Sequence, residues 1–180
     1  RRKLCDTVSE VAVFIFHEVK GVSGPKSWPQ LLTFLMASCV SNVSTQRSSG
    51  LFMITRLALE LKDVLQPQMD RIKQIFAKSL QDEDYRVRLD ALTATISFIE
   101  VVFDEETKNQ FKKLIPTMAA TITMALNKNS EDDAQSAIGL FIEMAEADAE
   151  YFQSCLGQLC QLFFKICKTK NLQPSTRQYA

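Results

Sequence analysis

Apolar residues recur at three- and four-residue spacing along nearly the whole chain, which is the period of amphipathic helices. Eight stretches carry the pattern: about 1–19, 28–40, 44–61, 65–80, 84–102, 106–126, 131–147 and 150–168, with a ninth opening near Ser175. A loop with Gly21, Gly24 and Pro25 separates the first two. No stretch alternates apolar and polar long enough to compete as a strand. Acidic clusters stand before or at the start of three helices: Asp82-Glu83-Asp84, Asp104-Glu105-Glu106 and Glu131-Asp132-Asp133. Negative charge there meets the positive end of the helix dipole and accepts free N–H groups, so capping is expected. A site for a metal or a basic ligand is the other reading of the same clusters.

The helices repeat. Setting Arg2, Arg47, Arg88 and Arg177 in register places Cys5, Gly50, Ala91 and Ala180 three residues after each. Ala134 with Ala137 fits the same register without its Arg. The points 2, 47, 88, 134 and 177 are 45, 41, 46 and 43 residues apart. Prolines recur as well, at Pro29, Pro67 and Pro116, some 18 to 21 residues before the register point that follows. Two helices every 40–47 residues is the spacing of HEAT or armadillo arrays, and pairs without a third short helix favour HEAT.

A helix pair cannot bury its apolar face alone, so successive pairs stack on a shared core. The expected fold is all-α, an α-α superhelix (right-handed solenoid) of HEAT repeats over 1–180. It contains a lone second helix at 1–19, full repeats at 28–61, 65–102 and 106–147, and a partial repeat at 150–180. The small residue after each register point lets a second helix approach its partner. Pro29 suits the first turn of a helix, whereas Pro116 lies two turns in and should bend its helix. The terminal helix carries Leu4, Val8, Val11 and Phe14 without a polar cap, and the chain lacks an initiating Met. A segment of a longer polypeptide is therefore expected.

Composition narrows the class. Lys+Arg and Asp+Glu both number 21, so no basic excess points to direct nucleic-acid binding. The longest apolar run, Val11 to Phe16, is far too short for a membrane helix, and no secretory signal follows Arg1-Arg2-Lys3. Asn42-Val43-Ser44 matches a glycosylation sequon by chance in that reading. Five Cys without a CxxC pair, and His17 as the only His, leave no tetrahedral metal set. Reduced, mostly buried thiols in an intracellular protein are expected.

Catalysis lacks its parts. There is no P-loop, GxGxxG or GxSxG. Cys5 and His17 lie 12 residues apart on one helix, about 18 Å, so they cannot act as a pair. No cofactor, metal or enzymatic activity is expected. His17 reads as a helix-end residue, and Trp28 as a packing anchor.

One motif is more specific than the period. Arg1-Arg2-Lys3-Leu4-Cys5-Asp6 leads through Val11-Ala12 and a polar loop to Trp28-Pro29-Gln30-Leu31-Leu32-Thr33-Phe34-Leu35. This resembles the importin-β (karyopherin-β) superfamily, with the importin-5 (Ran-binding importin) branch closest. Tyr85-Arg86-Val87-Arg88-Leu89-Asp90-Ala91-Leu92 and Leu114-Ile115-Pro116 match the general HEAT consensus of that superfamily. The resemblance implies a nuclear transport receptor without chemistry of its own, shuttling between cytoplasm and nucleus. It implies protein cargo with basic signals, the Ran GTPase and Phe-Gly nucleoporins as partners, with no nucleic acid or membrane. It further implies second helices on the concave, partner-holding side. It leaves Ala134 as a gap in the Arg-to-acid ladder between second helices. A HEAT scaffold of another kind, such as a phosphatase scaffold or a vesicle-coat subunit, is the alternative.

Helical spacing selects which residues face out. Asp90, Thr93, Ser97 and Glu100 form one polar stripe. Carried forward, the register gives Ser136, Gly139, Glu143 and Glu146; carried back, Ser49, Phe52, Arg56 and Leu59. The expected partner-facing set is thus Arg56, Asp90, Thr93, Ser97, Glu100, Glu143 and Glu146, acidic toward its later members. Arg2, Arg47, Arg88, Arg177, Trp28, Pro29 and Pro116 are expected to hold the repeat itself. First helices carry stripes expected to be mostly core: Leu31, Phe34 and Leu35; Met69, Ile72 and Phe76; Phe111, Leu114 and Met118; Phe152, Leu156, Leu159 and Phe163.

Overall fold

The computed structural model describes residues 2–18, 28–101 and 105–180. The loop with Gly21, Gly24 and Pro25, together with Arg1, Asp104 and the His17 side chain, lies outside the described residues. The described residues form helices and connecting turns, with no strand among them. The chain divides into two compact units, Arg1–Val102 and Phe103–Ala180.

The first unit contains α1 (Arg2–Glu18), α2 (Pro29–Cys39), α3 (Ser44–Leu65), α4 (Met69–Ser79) and α5 (Tyr85–Val101). Helix α2 packs on α3 and α4 on α5, giving two helix pairs. Helix α3 also packs against both α1 and α5, so the second helices lie side by side. Pro29 starts α2 where its missing N–H costs nothing, directly after the half-buried Trp28. Around Pro67 the chain departs from one continuous helix over 65–80. Helix α3 runs on to Leu65, a 3-10 turn takes Gln66–Gln68, and α4 begins at Met69. The ring of Pro67 fits the start of that turn and ends the α ladder.

Gly50 shows why a small residue is needed in α3. A Cβ there would stand 2.9 Å from Cys39 Sγ and 3.0 Å from the Cys39 backbone nitrogen of α2. Ala91, the corresponding residue in α5, is fully buried. The core is built from Leu51, Ile54, Leu57 and Leu61 of α3, Ile72 and Phe76 of α4, and Leu92 and Phe98 of α5. Phe76 and Phe98 meet edge to face with ring centres 5.9 Å apart, a geometry favoured by the ring quadrupoles.

The second unit contains α6 (Glu105–Phe111), α7 (Ile115–Asn127), α8 (Glu131–Ala147), α9 (Leu156–Lys168) and α10 (Pro174–Tyr179). Pro116 falls in the first turn of α7, and the residues before it, Lys112–Leu114, form a 3-10 turn. The interruption lies just ahead of the proline, where its ring would strike the carbonyl four residues back. Ala149–Cys155 is likewise 3-10 rather than the start of a long α-helix. One of its first N–H groups is met by Asp148, whose Oδ1 accepts from the Tyr151 N–H at 3.2 Å.

Helix α7 packs on α8, and α10 packs on both α8 and α9. Phe141 of α8 joins Phe152 at 5.8 Å and Phe163 of α9 at 6.4 Å. The first-helix stripes are core in their centres: Leu31, Leu35, Ile72, Phe76, Phe111, Met118, Phe152 and Leu159 are buried. Their edges are not, since Phe34 and Leu156 are exposed. Second helices begin at Ser44, Tyr85, Glu131 and Pro174, at spacings of 41, 46 and 43 residues.

Candidate partner-binding surface

The register arginines do different work. Arg47, near the start of α3, reaches the loop before α5 and grips Asp82 with Nε at 2.6 Å and Nη2 at 2.8 Å. Its Nη1 donates to the Ser41 carbonyl at 2.8 Å, tying down the turn before α3. Arg88, near the start of α5, bonds back to the carbonyls of Asp82 and Gln81 in the same loop. Arg2 is exposed, lies over the Phe52 ring at 5.6 Å and stands 3.8 Å from Asp90. Arg177 of α10 has a buried Nε without a hydrogen-bond partner. These contacts replace a uniform ladder between second helices: one acidic residue, Asp82, serves as the anchor for two arginines in turn.

Asp82 remains ionised because of this. Burial alone would raise its pKa, but the hydrogen bond from Arg47, the Asp84 N–H and the two guanidinium charges outweigh that and hold it below the usual carboxylate range. Asp84 does the capping, with Oδ1 accepting from the Arg86 N–H at 3.0 Å.

Asp90, expected to face a partner, is turned into the packing instead. Its side chain is 15% exposed, Ser48 Oγ donates to it, and burial leads the causes that raise its pKa. The partly buried Thr93 donates to the Leu89 carbonyl at 3.1 Å, and Ser97 is also partly buried. Glu100 is exposed on the same helix. Arg56 of α3 is half exposed and stands 3.7 Å from Asp6 of α1. In the second unit Glu143 and Glu146 of α8 are both exposed.

Glu143 lines an open groove of about 500 Å³ between α8 and α10, together with Asp132, Gln135, Ser136, Gly139 and Tyr179. Asp132 and Glu143 lie eleven residues apart on one helix, about 16 Å along its axis. They bracket a trough long enough for several residues of an extended chain. Glu131 braces its rim, with Oε2 accepting from Thr176 Oγ1 at 2.5 Å and from the Gln173 N–H at 2.9 Å. Gln135 adds a bond to Thr176 at 2.8 Å. Asp132 was within reach of the sequence, one helical turn before Ser136 in the stripe already drawn. Tyr179 arrives from another helix and had no such signal. Among the described residues no group of three His, Cys, Asp or Glu could hold a metal, and no helix is long and apolar enough to cross a membrane.

Comparison with known proteins adds to this geometry. The family described as "IPO5-like, TPR repeats" matches residues 1–162. The helix spacing measured above exceeds the roughly 34 residues of a TPR unit and is that of HEAT pairs. A "Probable importin-5 homolog" of Dictyostelium discoideum is 26% identical over 179 residues, which is 98% of this chain. The chain spans 16% of that protein's length. The crystal structure of Kap121p superposes with a TM-score of 0.73 at 23% identity, covering 87% of this chain and 15% of Kap121p. Kap121p bound to Nup53p gives 0.72 at 23% identity, covering 85% and 14%. At that identity these likenesses show the fold, an α-α repeat.

Proposed function

The chain belongs to the importin-5-like family, and from that premise we propose that it is a non-enzymatic, protein-binding segment of a nuclear transport receptor. In this reading it is one stretch of a longer HEAT array. Helix α1 is the second helix of a repeat, full repeats cover 28–61, 65–102 and 106–147, and 150–180 is partial. The receptor shuttles between cytoplasm and nucleus, carries protein cargo with basic signals, and exchanges it under Ran-GTP control while Phe-Gly nucleoporins carry it through the pore. Kap121p, whose fold the chain shares, has been crystallised with Nup53p, with Ste12p and with Pho4p, which supports protein binding as the common activity.

The observation that carries the reading is the family match over residues 1–162. The trough on α8 supplies a chemistry to go with it. Carboxylates of Asp132 and Glu143 at its two ends suit Lys or Arg side chains of an extended segment, by charge steering and charge-assisted hydrogen bonds. Glu100, Glu143 and Glu146 are assigned to the partner-facing set, with Arg56 as its basic member. Asp90 contributes indirectly, by holding α3 and α5 together. The test uses the full-length protein that contains this chain, with a fluorescent cargo bearing a Lys-rich signal. Capture of cargo, and its release by Ran-GTP but not Ran-GDP, is the expected result. Equal behaviour with both nucleotides, or no capture of either partner, would leave a plain HEAT scaffold.

A further inference from the structure

We draw no further inference here: the strongest candidate, the open trough between α8 and α10 that Asp132, Glu143 and Tyr179 line, belongs to the site already described.

Discussion

The guanidinium of Arg47 and the carboxylate of Asp82 meet through two parallel hydrogen bonds across 35 residues of sequence, with Nε to Oδ2 at 2.6 Å and Nη2 to Oδ1 at 2.8 Å. Both side chains are mostly buried, 18% and 9% exposed, so removing either leaves an uncompensated charge. Asp82→Asn should therefore cost about 3 kcal/mol of unfolding free energy. Urea denaturation followed by circular dichroism measures it, and a cost within 0.5 kcal/mol of zero would show the pair to be ornamental.

The same pair sets a pH dependence. Asp82 has a folded pKa below its unfolded value of about 3.9. Its contribution is thus fully present above about pH 5 and is lost as pH falls through the folded value. Asp90 has the opposite sign, because burial raises its pKa, so its ionised form is a cost at neutral pH that acidification relieves. Asp90→Asn keeps an acceptor for Ser48 and should be neutral or slightly stabilising at pH 7. Thermal melts of the two Asn variants at pH 7 and pH 4 separate these behaviours: the Asp82→Asn deficit should shrink in acid, and any Asp90→Asn gain should shrink too.

Gly50 and Gly139 should respond oppositely to alanine. A Cβ at Gly50 meets Cys39 Sγ at 2.9 Å and backbone at 3.0 Å, so Gly50→Ala should cost about 1–3 kcal/mol. Adding Cys39→Ala removes the thiol clash but not the backbone one, so rescue should be partial. At Gly139 a Cβ meets only the Tyr179 ring, at 3.9 Å. Gly139→Ala should stabilise α8 by about 0.5–1 kcal/mol. Urea midpoints decide both.

Glu131 links α8 to α10, and Glu131→Ala should fray α10 by removing bonds to Gln173 and Thr176. Hydrogen exchange at residues 175–179 should accelerate about tenfold for a loss of about 1.4 kcal/mol. Unchanged exchange there would mean that packing alone holds the helix.

Local signals account for what the sequence made readable. Glu131-Asp132-Asp133 and the apolar spacing after it bound a helix at 131–147, and α8 has those bounds. Pro29 marks a helix start, whereas the bend expected at Pro116, two turns into a helix, is instead a 3-10 turn just ahead of it, with Pro116 in the first turn of α7. The 3-10 stretches at Lys112–Leu114 and Ala149–Cys155 were hidden, since both helix types share the apolar period closely over one turn. Long-range partners were hidden for a different reason. Nothing near Arg47 names Asp82, nothing near Tyr151 names the Lys108 carbonyl it bonds at 3.2 Å, and Asp90 sits on a polar stripe yet turns inward to Ser48. Such pairings depend on how helices are set against each other, which periodicity does not encode.

The central claim is that the acidic second-helix face holds a basic protein segment. Its most direct test is the affinity of a fluorescein-labelled Lys-rich signal peptide for the chain, by anisotropy at low and at physiological salt. The account predicts binding that weakens with salt, and a further loss of about tenfold in the Glu143→Lys, Glu146→Lys double variant. Affinity unchanged by the charge reversal at both salt concentrations would contradict it.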